Sequence, residues 1–154
     1  MSSSRILPFR KAASSGTEER RPATRILVVD DEALMRQFVD TVLREAGYET
    51  TLASDGDEAI GISTSAPVFH LLVTDEVMPR MAGHQLARYM RERYLDIKVL
   101  YLSGHRDTLF REKGSLWADE AFLDKPCTPQ QLTQAVSRLL FGPLAQSQPD
   151  KLDR

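Results

Sequence analysis

The sequence predicts an α/β fold, in which a doubly wound five-stranded parallel sheet is covered by helices on both faces. Two observations lead to this prediction. Short apolar runs alternate along the chain with segments whose apolar residues recur at helical spacing, and polar or charged residues follow each run. The chain has 154 residues, of which 42% are hydrophobic and 27% charged, and this composition suits one globular domain.

Five segments are predicted to be strands. Four of them are short runs with apolar residues on both faces, as expected of strands buried in a parallel sheet, and the second segment is more mixed. In chain order they cover residues 26–29, 49–53, 70–74, 99–102 and 121–123.

Five helices are expected between and after these strands. The first is ended by Gly47, and the fourth is so poorly patterned that only a short or irregular helix is predicted. In chain order the helices begin near Met35, at Asp55, at Gly83, within residues 105–117 and at the capping-box sequence Thr128-Pro129-Gln130-Gln131.

Residues 1–23 and 142–154 are predicted to be disordered tails, so the folded domain is expected to span residues 24–141. Both tails are rich in polar residues and lack periodicity. Five basic side chains stand against two acidic ones in the first tail, whereas the whole chain has a formal net charge of −2. A solvated tail is the simpler expectation for this basic segment, and contact with an acidic partner is the alternative.

Composition argues against several classes of protein. No apolar run approaches the ~20 residues that cross a bilayer, and the N-terminus lacks the apolar stretch of a secretory signal. Cys127 is the single cysteine, so a disulfide framework is excluded. These features lead us to expect a cytoplasmic protein without a membrane partner. Because the net charge is negative and no DNA-reading unit is present, we expect no nucleic-acid partner.

Functional side chains follow four of the predicted strands. Asp30 and Asp31 come after the first strand, Asp75 after the third, Ser103 after the fourth and Lys125 after the fifth. Because the carboxyl ends of parallel strands share one edge of the sheet, we expect these side chains to converge on one pocket.

The expected group of side chains suits metal-assisted phosphoryl transfer to a carboxylate. Three close carboxylates repel one another unless a cation lies among them, and oxygen ligands without His or Cys favour Mg²⁺ over zinc. Lysine provides a point charge for phosphoryl oxygens, a serine hydroxyl can donate to them, and aspartate can be the nucleophile.

The segments that supply these residues also carry a family resemblance. They are Val28-Val29-Asp30-Asp31-Glu32, Asp75-Glu76-Val77-Met78-Pro79 with Gly83, Ser103-Gly104 and Lys125-Pro126. In this order they resemble the receiver domain of bacterial two-component response regulators over about residues 24–141, and they are also similar to the receivers of hybrid sensor kinases. The resemblance implies a flavodoxin-like sheet with strand order 2-1-3-4-5 and a stand-alone, single-domain protein without room for an output domain.

The resemblance also implies a role for each matching residue. Asp75 would accept the phosphoryl group, and Lys125 would pair with Asp75 or with the phosphoryl group. Ser103 and the Gly104 amide would bind phosphoryl oxygens, and Ser103 with Phe122 would form the switch. The implied Mg²⁺ ligands are Asp31, Asp75 and the backbone carbonyl of Val77, with Asp30 acting mainly through water.

The implied partners are a sensor histidine kinase or histidine phosphotransfer protein as donor and an unidentified downstream protein that recognises the phosphorylated face. The chain would then catalyse only its own phosphorylation and dephosphorylation. It departs from the family pattern at four positions, since Ser103 replaces threonine, Phe122 replaces tyrosine, Ala82 replaces a polar capping residue and Cys127 replaces an aromatic residue.

Two alternative functions remain at this point. A phosphatase-type hydrolase with an aspartate nucleophile would need a second acid two residues after Asp75, where Val77 stands. A receiver-like interaction module that never carries phosphate would be indicated by loss of an acid or of the lysine, and none is lost. His105, two residues after Ser103, could influence the access of water to a phosphoryl group, although no specific role is the simpler expectation.

Overall fold

The computed structural model describes residues 23–142, in which five strands and five helices alternate. The strands are β1 (Arg25–Val29), β2 (Glu49–Ala53), β3 (Leu71–Thr74), β4 (Lys98–Ser103) and β5 (Glu120–Asp124). The helices are α1 (Ala33–Glu45), α2 (Gly56–Ser63), α3 (Gly83–Arg93), α4 (Arg106–Lys113) and α5 (Pro129–Phe141). All strand pairs are parallel and the order is β2-β1-β3-β4-β5, so the predicted fold class and strand order are confirmed.

Element boundaries differ slightly from the predicted ones. β3 begins at Leu71 instead of His70, whose ring nitrogen Nδ1 accepts the Arg25 amide at 3.0 Å. β4 extends to Ser103, which is therefore the last residue of the strand and not the first residue after it. Gly142, placed in the predicted tail, instead ends α5, and its N–H donates to the Arg138 carbonyl at 2.9 Å. Apart from Ala23, which is exposed and in neither a helix nor a strand, the rest of the predicted tails lies outside the described residues.

The fourth helix is regular over eight residues despite its weak pattern. Leu109 is its only fully buried side chain, and the half-buried Phe110 packs beside it on the same core. A helix held by so few apolar contacts gives little periodic signal in the sequence, which explains why only a short or irregular element was predicted.

Side chains of the sheet alternate between two separate cores. Leu27, Leu72 and Tyr101 face one core, which α2, α3 and α4 cover, whereas Val28 and Leu100 face the other, which α1 and α5 cover. Strands buried on both faces lack the polar alternation of an exposed sheet, which is why continuous apolar runs predicted them. No helix in residues 23–142 combines the length and the apolarity that crossing a bilayer requires.

Tyr101 brings a polar atom into the first of these cores. Its side chain is fully buried, and its hydroxyl has no hydrogen-bond partner among the described residues. Burial, together with the nearby charge of Glu120, raises the pKa of this phenol above its ordinary value. An unpaired buried hydroxyl costs stability, because the bond that it makes to water in the unfolded chain is not replaced.

We therefore expect Tyr101→Phe to increase the free energy of unfolding by about 1 kcal/mol, measured by urea denaturation. Tyr94→Phe is a matched control in the same core, because the Tyr94 hydroxyl donates to the Ser63 carbonyl at 3.2 Å. Its removal should lower the free energy of unfolding by about 1 kcal/mol. A Tyr101→Phe protein as destabilised as the Tyr94→Phe protein would contradict the prediction.

Candidate functional site

Three aspartates meet at the carboxyl edge of the sheet. Asp30 directly follows β1 and Asp75 directly follows the neighbouring strand β3, and both are buried, with 4% and 5% of their surface exposed. Asp31 is exposed beside them. Each of the three offers a carboxylate oxygen, and these oxygens all lie within 4.8 Å of one another. The structure thus brings together the three acids that the sequence singled out as metal ligands.

Lys125 lies among these acids, although it comes from the far edge strand. β5 carries it to the site, and its backbone N–H donates to the Ser103 carbonyl at 3.0 Å. The ammonium Nζ is 2.9 Å from Asp30 Oδ2 and 3.1 Å from Asp75 Oδ2. It also lies 3.2 Å from Glu32 Oε1, a contact that the sequence analysis did not anticipate.

Electrostatics at the site are dominated by an excess of acids. Burial opposes the charged form of Lys125, but the hydrogen bond to Asp30 and the charge of Asp75 outweigh it, so the pKa of Lys125 is raised. Burial raises the pKa of Asp30, and the contacts with Lys125 and with the Glu32 amide partly oppose this shift. One ammonium among four carboxylates leaves an excess of negative charge, which favours a bound cation.

A cleft of about 310 Å³ opens at this edge of the sheet. Its lining residues are Asp31, Glu32, Asp75, Val77, Gly104, His105 and Lys125. The carboxylate of Asp75 is fixed at both oxygens, because the Glu76 amide donates to Oδ1 at 2.7 Å while Lys125 contacts Oδ2. The cleft therefore presents an oriented aspartate, a fixed ammonium and an exposed acid around one space.

Ser103 lies near the cleft but does not line it. The residue is fully buried at the end of β4, and its Oγ accepts the His105 N–H at 3.1 Å. Gly104 and His105, which follow it, do line the cleft. The predicted phosphoryl-binding hydroxyl is thus engaged with its own loop in this structure.

Phe122, the predicted switch residue, lies half-buried on β5. Its ring packs against Phe110 with centroids 6.0 Å apart, and the guanidinium of Arg106 covers it at 4.4 Å from the centroid. Arg106 also pairs with Asp124 at 3.0 Å. The sequence analysis missed Arg106, because the cation reaches Phe122 only through the tertiary packing of α4 on β5.

Glu76 is a second residue that the sequence analysis did not assign. It is 1% exposed, and its carboxylate contacts both the backbone amide and the ring nitrogen Nδ1 of His84. Burial raises the pKa of Glu76, and the contacts with His84 partly oppose the shift. A signal was available in the sequence, since Glu76 is an acid that directly follows Asp75, the first residue after β3. Cys127, by contrast, packs half-buried against the core under α1 and α5, and burial raises the pKa of its thiol.

The 2-1-3-4-5 sheet with this arrangement of acids and lysine at its carboxyl edge is the architecture of a phospho-accepting signalling receiver. The response regulator receiver domain family matches residues 26–137, which is most of the chain, and the protein belongs to that family.

Individual relatives agree with this assignment. The response regulator receiver protein CpdR of Brucella abortus is 33% identical over 118 residues, which are 77% of this chain and 98% of CpdR. The crystal structure of a response regulator receiver protein from Sinorhizobium medicae superposes with a TM-score of 0.69 at 35% identity, covering 77% of this chain and 94% of that one. The response regulator TrrA of Thermotoga maritima, solved in complex with Mg²⁺ and BeF, gives a TM-score of 0.66 at 32% identity, over 76% of this chain and 99% of TrrA.

Proposed function

We propose that Asp75 is the residue that accepts the phosphoryl group, in a reaction that depends on Mg²⁺. The observation that carries this proposal is the geometry of one carboxylate. Asp75 is held by Lys125 on one oxygen and by the Glu76 amide on the other, with Asp30 and Asp31 oxygens within 4.8 Å. Of the acids at this edge, it is the one that both lies at the end of a central strand and lines the cleft.

The donor would be the phosphohistidine of a sensor histidine kinase or of a histidine phosphotransfer protein. An oxygen of Asp75 attacks phosphorus, the bond from phosphorus to the imidazole nitrogen breaks, and the imidazole leaves with the electron pair. The product is an acyl phosphate on Asp75. Lys125 lies where its ammonium can follow the negative charge from the carboxylate to the phosphoryl oxygens. The chain acts in this proposal on its own Asp75 and not on a separate substrate.

The donor atoms at the site fit a magnesium ion. Asp30, Asp31 and Asp75 supply carboxylate oxygens, Val77 lines the same cleft and could add its carbonyl, and Lys125 neutralises only one of the negative charges. Such an oxygen-only set suits a hard cation that keeps part of its water shell. When bound, Mg²⁺ would neutralise the acids and the oxygens of the transferred group.

The proposal can be tested by trapping the product. The full chain is incubated with phosphoramidate and Mg²⁺, treated with borohydride, which reduces an acyl phosphate on aspartate to homoserine, and mapped by peptide mass spectrometry. Homoserine is expected at position 75, with untreated protein gaining the mass of one phosphoryl group. Homoserine at another acid, or no phosphoryl gain by the folded protein, would overturn the assignment.

Magnesium should also stabilise the protein without phosphate. Since the ion relieves repulsion among the acids, a concentration ten times its Kd should add about 1.4 kcal/mol to the free energy of unfolding. Asp31→Ala should lose most of this gain, and because Asp31 is exposed the substitution does not disturb the core. Asp96→Ala, which removes an exposed acid between α3 and β4, is the control and should keep the gain. Thermal unfolding of the wild type and of both variants, with and without Mg²⁺, measures the gain. A gain in the Asp31→Ala protein equal to that of the wild type would place the ion elsewhere.

We propose that phosphorylation acts through Ser103 and Phe122 to change a surface that a downstream protein binds. Because Ser103 does not line the cleft, its side chain must turn to donate its hydroxyl to a phosphoryl oxygen; this turn breaks the bond that Oγ accepts from the His105 amide and shifts the loop before α4. Arg106, the first residue of α4, would then move with respect to the Phe122 ring that it covers. Amide shifts on adding Mg²⁺ and beryllium fluoride should extend through residues 105–127, and shifts confined to the acids would exclude this route.

We place these events in the cytoplasm, a reducing compartment that suits the free thiol of Cys127.

A further inference from the structure

Glu76 joins the candidate phosphorylation site to the first turn of α3. Its backbone N–H donates to Asp75 Oδ1 at 2.7 Å, and its carbonyl accepts the Gly83 N–H at 2.9 Å. Its carboxylate oxygen Oε1 accepts the His84 N–H at 2.9 Å, and Oε2 lies 2.6 Å from His84 Nδ1. One residue therefore holds the nucleophile on one side and the start of a helix on the other.

The carboxylate performs a task that the helix cannot perform for itself. The first N–H groups of a helix lack partners within the helix, and a polar N-cap side chain usually accepts one of them. Ala82 is the N-cap of α3 and has no oxygen in its side chain, while Gln85 accepts only the Ala82 amide, at 2.9 Å. The Glu76 carboxylate accepts the N–H of His84, the second residue of α3, from outside the helix. The positive end of the helix dipole also stabilises the charge of the carboxylate there.

This connection leaves little freedom of movement between Asp75 and the start of α3. A Cβ atom placed on Gly83 would lie 2.1 Å from the Asp75 carbonyl oxygen, so the start of α3 is in direct contact with the backbone of Asp75. Glu76 itself is 1% exposed, so water does not compete for its carboxylate. Hydrogen bonds on both the backbone and the side chain of Glu76 therefore link Asp75 to the first turn of α3.

We propose that Glu76 is a positioning residue, which orients Asp75 for phosphoryl transfer and transmits the phosphorylation state to α3. This inference rests on the proposed role of Asp75 as the acceptor. It assigns α3 as a second route for the signal, separate from the one through Ser103 and Phe122. The surface that this route would move includes Arg88 and Arg91, which line a 190 Å³ cleft between α3 and α4 together with Trp117.

The test separates the positioning role from the capping role. Ala82→Asp gives α3 its own N-cap acceptor, and Glu76→Leu is then added to it to remove the external carboxylate. Glu76→Gln is the conservative variant, because its amide oxygen can still accept the His84 N–H. Besides the unfolding temperature, two quantities are measured on each full-length protein: the rate of labelling by phosphoramidate with Mg²⁺, and the amide shifts of Arg88 and Arg91 on adding Mg²⁺ and beryllium fluoride.

The Ala82→Asp protein should resemble the wild type in both measurements. The Ala82→Asp/Glu76→Leu protein should unfold at a similar temperature, yet be labelled about tenfold more slowly, because the backbone amide that holds Asp75 Oδ1 loses the anchor that the carboxylate gives it on α3. Its shifts at Arg88 and Arg91 should be largely lost, whereas Glu76→Gln should retain most of the rate and of the shifts.

Wild-type rates and wild-type shifts in the Ala82→Asp/Glu76→Leu protein would overturn the inference. The proposed function fails in a different way, namely if wild-type protein is not labelled on Asp75 at all. Should the double variant not fold, His84→Ala removes the ring contact without touching the neighbour of Asp75. Reduced shifts at Arg88 and Arg91 in that protein would support the link, and unchanged shifts would overturn it.

Discussion

The Asp75→Asn protein is expected to take up no phosphoryl group from phosphoramidate and Mg²⁺, the largest change in activity that any single substitution in this chain should produce. An amide oxygen is far less nucleophilic than a carboxylate, and it carries no charge for the metal ion to hold. Asp30 cannot substitute for it readily because, unlike Asp75, it does not line the cleft that a phosphodonor would enter. Intact-mass measurement over time gives the rate directly.

The folded state of Asp75→Asn should not suffer from the substitution. It removes one charge from a cluster in which acids outnumber the single lysine, so the free energy of unfolding without Mg²⁺ should stay equal or rise. Glu32→Gln is the matched control, because it also removes one negative charge beside Lys125 but leaves Asp75 intact. Its labelling should slow by no more than a few-fold. Labelling of the Asp75→Asn protein at the wild-type rate would show that another residue is the acceptor.

The sequence was sufficient to locate the acids and the lysine because parallel sheets impose a simple rule. Asp30, Asp75 and Lys125 each follow an apolar run, and strands in a parallel sheet end at the same edge, so convergence follows from the pattern alone. Which strands are neighbours does not follow from periodicity. The order 2-1-3-4-5 came from the family resemblance, and the strand pairing confirms it.

The partners of individual side chains were beyond the reach of the sequence. Ser103 was expected to face the site, but its hydroxyl accepts the amide of His105, a choice decided by the local shape of the loop. Arg106 covers Phe122 because α4 packs against β5, although sixteen positions separate them in the chain. Ala82 was recognised as a missing cap, yet the residue that replaces it, Glu76, lies six positions before the N-cap, and no capping pattern in the sequence indicates that distance.

Close packing at Gly83 leads to the largest expected change in stability. The Gly83 N–H donates to the Glu76 carbonyl at 2.9 Å, which draws the start of α3 against the end of β3. A methyl group at this position would lie 2.1 Å from the Asp75 carbonyl oxygen and 3.0 Å from its carbon. These are backbone atoms that no side-chain rotation can move away. We therefore expect Gly83→Ala to lower the free energy of unfolding by about 3 kcal/mol, the upper end of the usual range for overpacking.

Gly61→Ala provides the comparison that isolates this steric effect. Gly61 lies within α2, and a Cβ atom there would have nothing within 4 Å. Because alanine favours the helix over glycine, that protein should gain about 0.5–1 kcal/mol, measured in the same urea titration. Both substitutions add one methyl group to a helical glycine, so intrinsic propensity predicts the same sign for both and only the contact with Asp75 separates them. If Gly83→Ala were stabilised like Gly61→Ala, α3 would be free to move away from Asp75, and the rigid connection through which Glu76 is proposed to act would not exist.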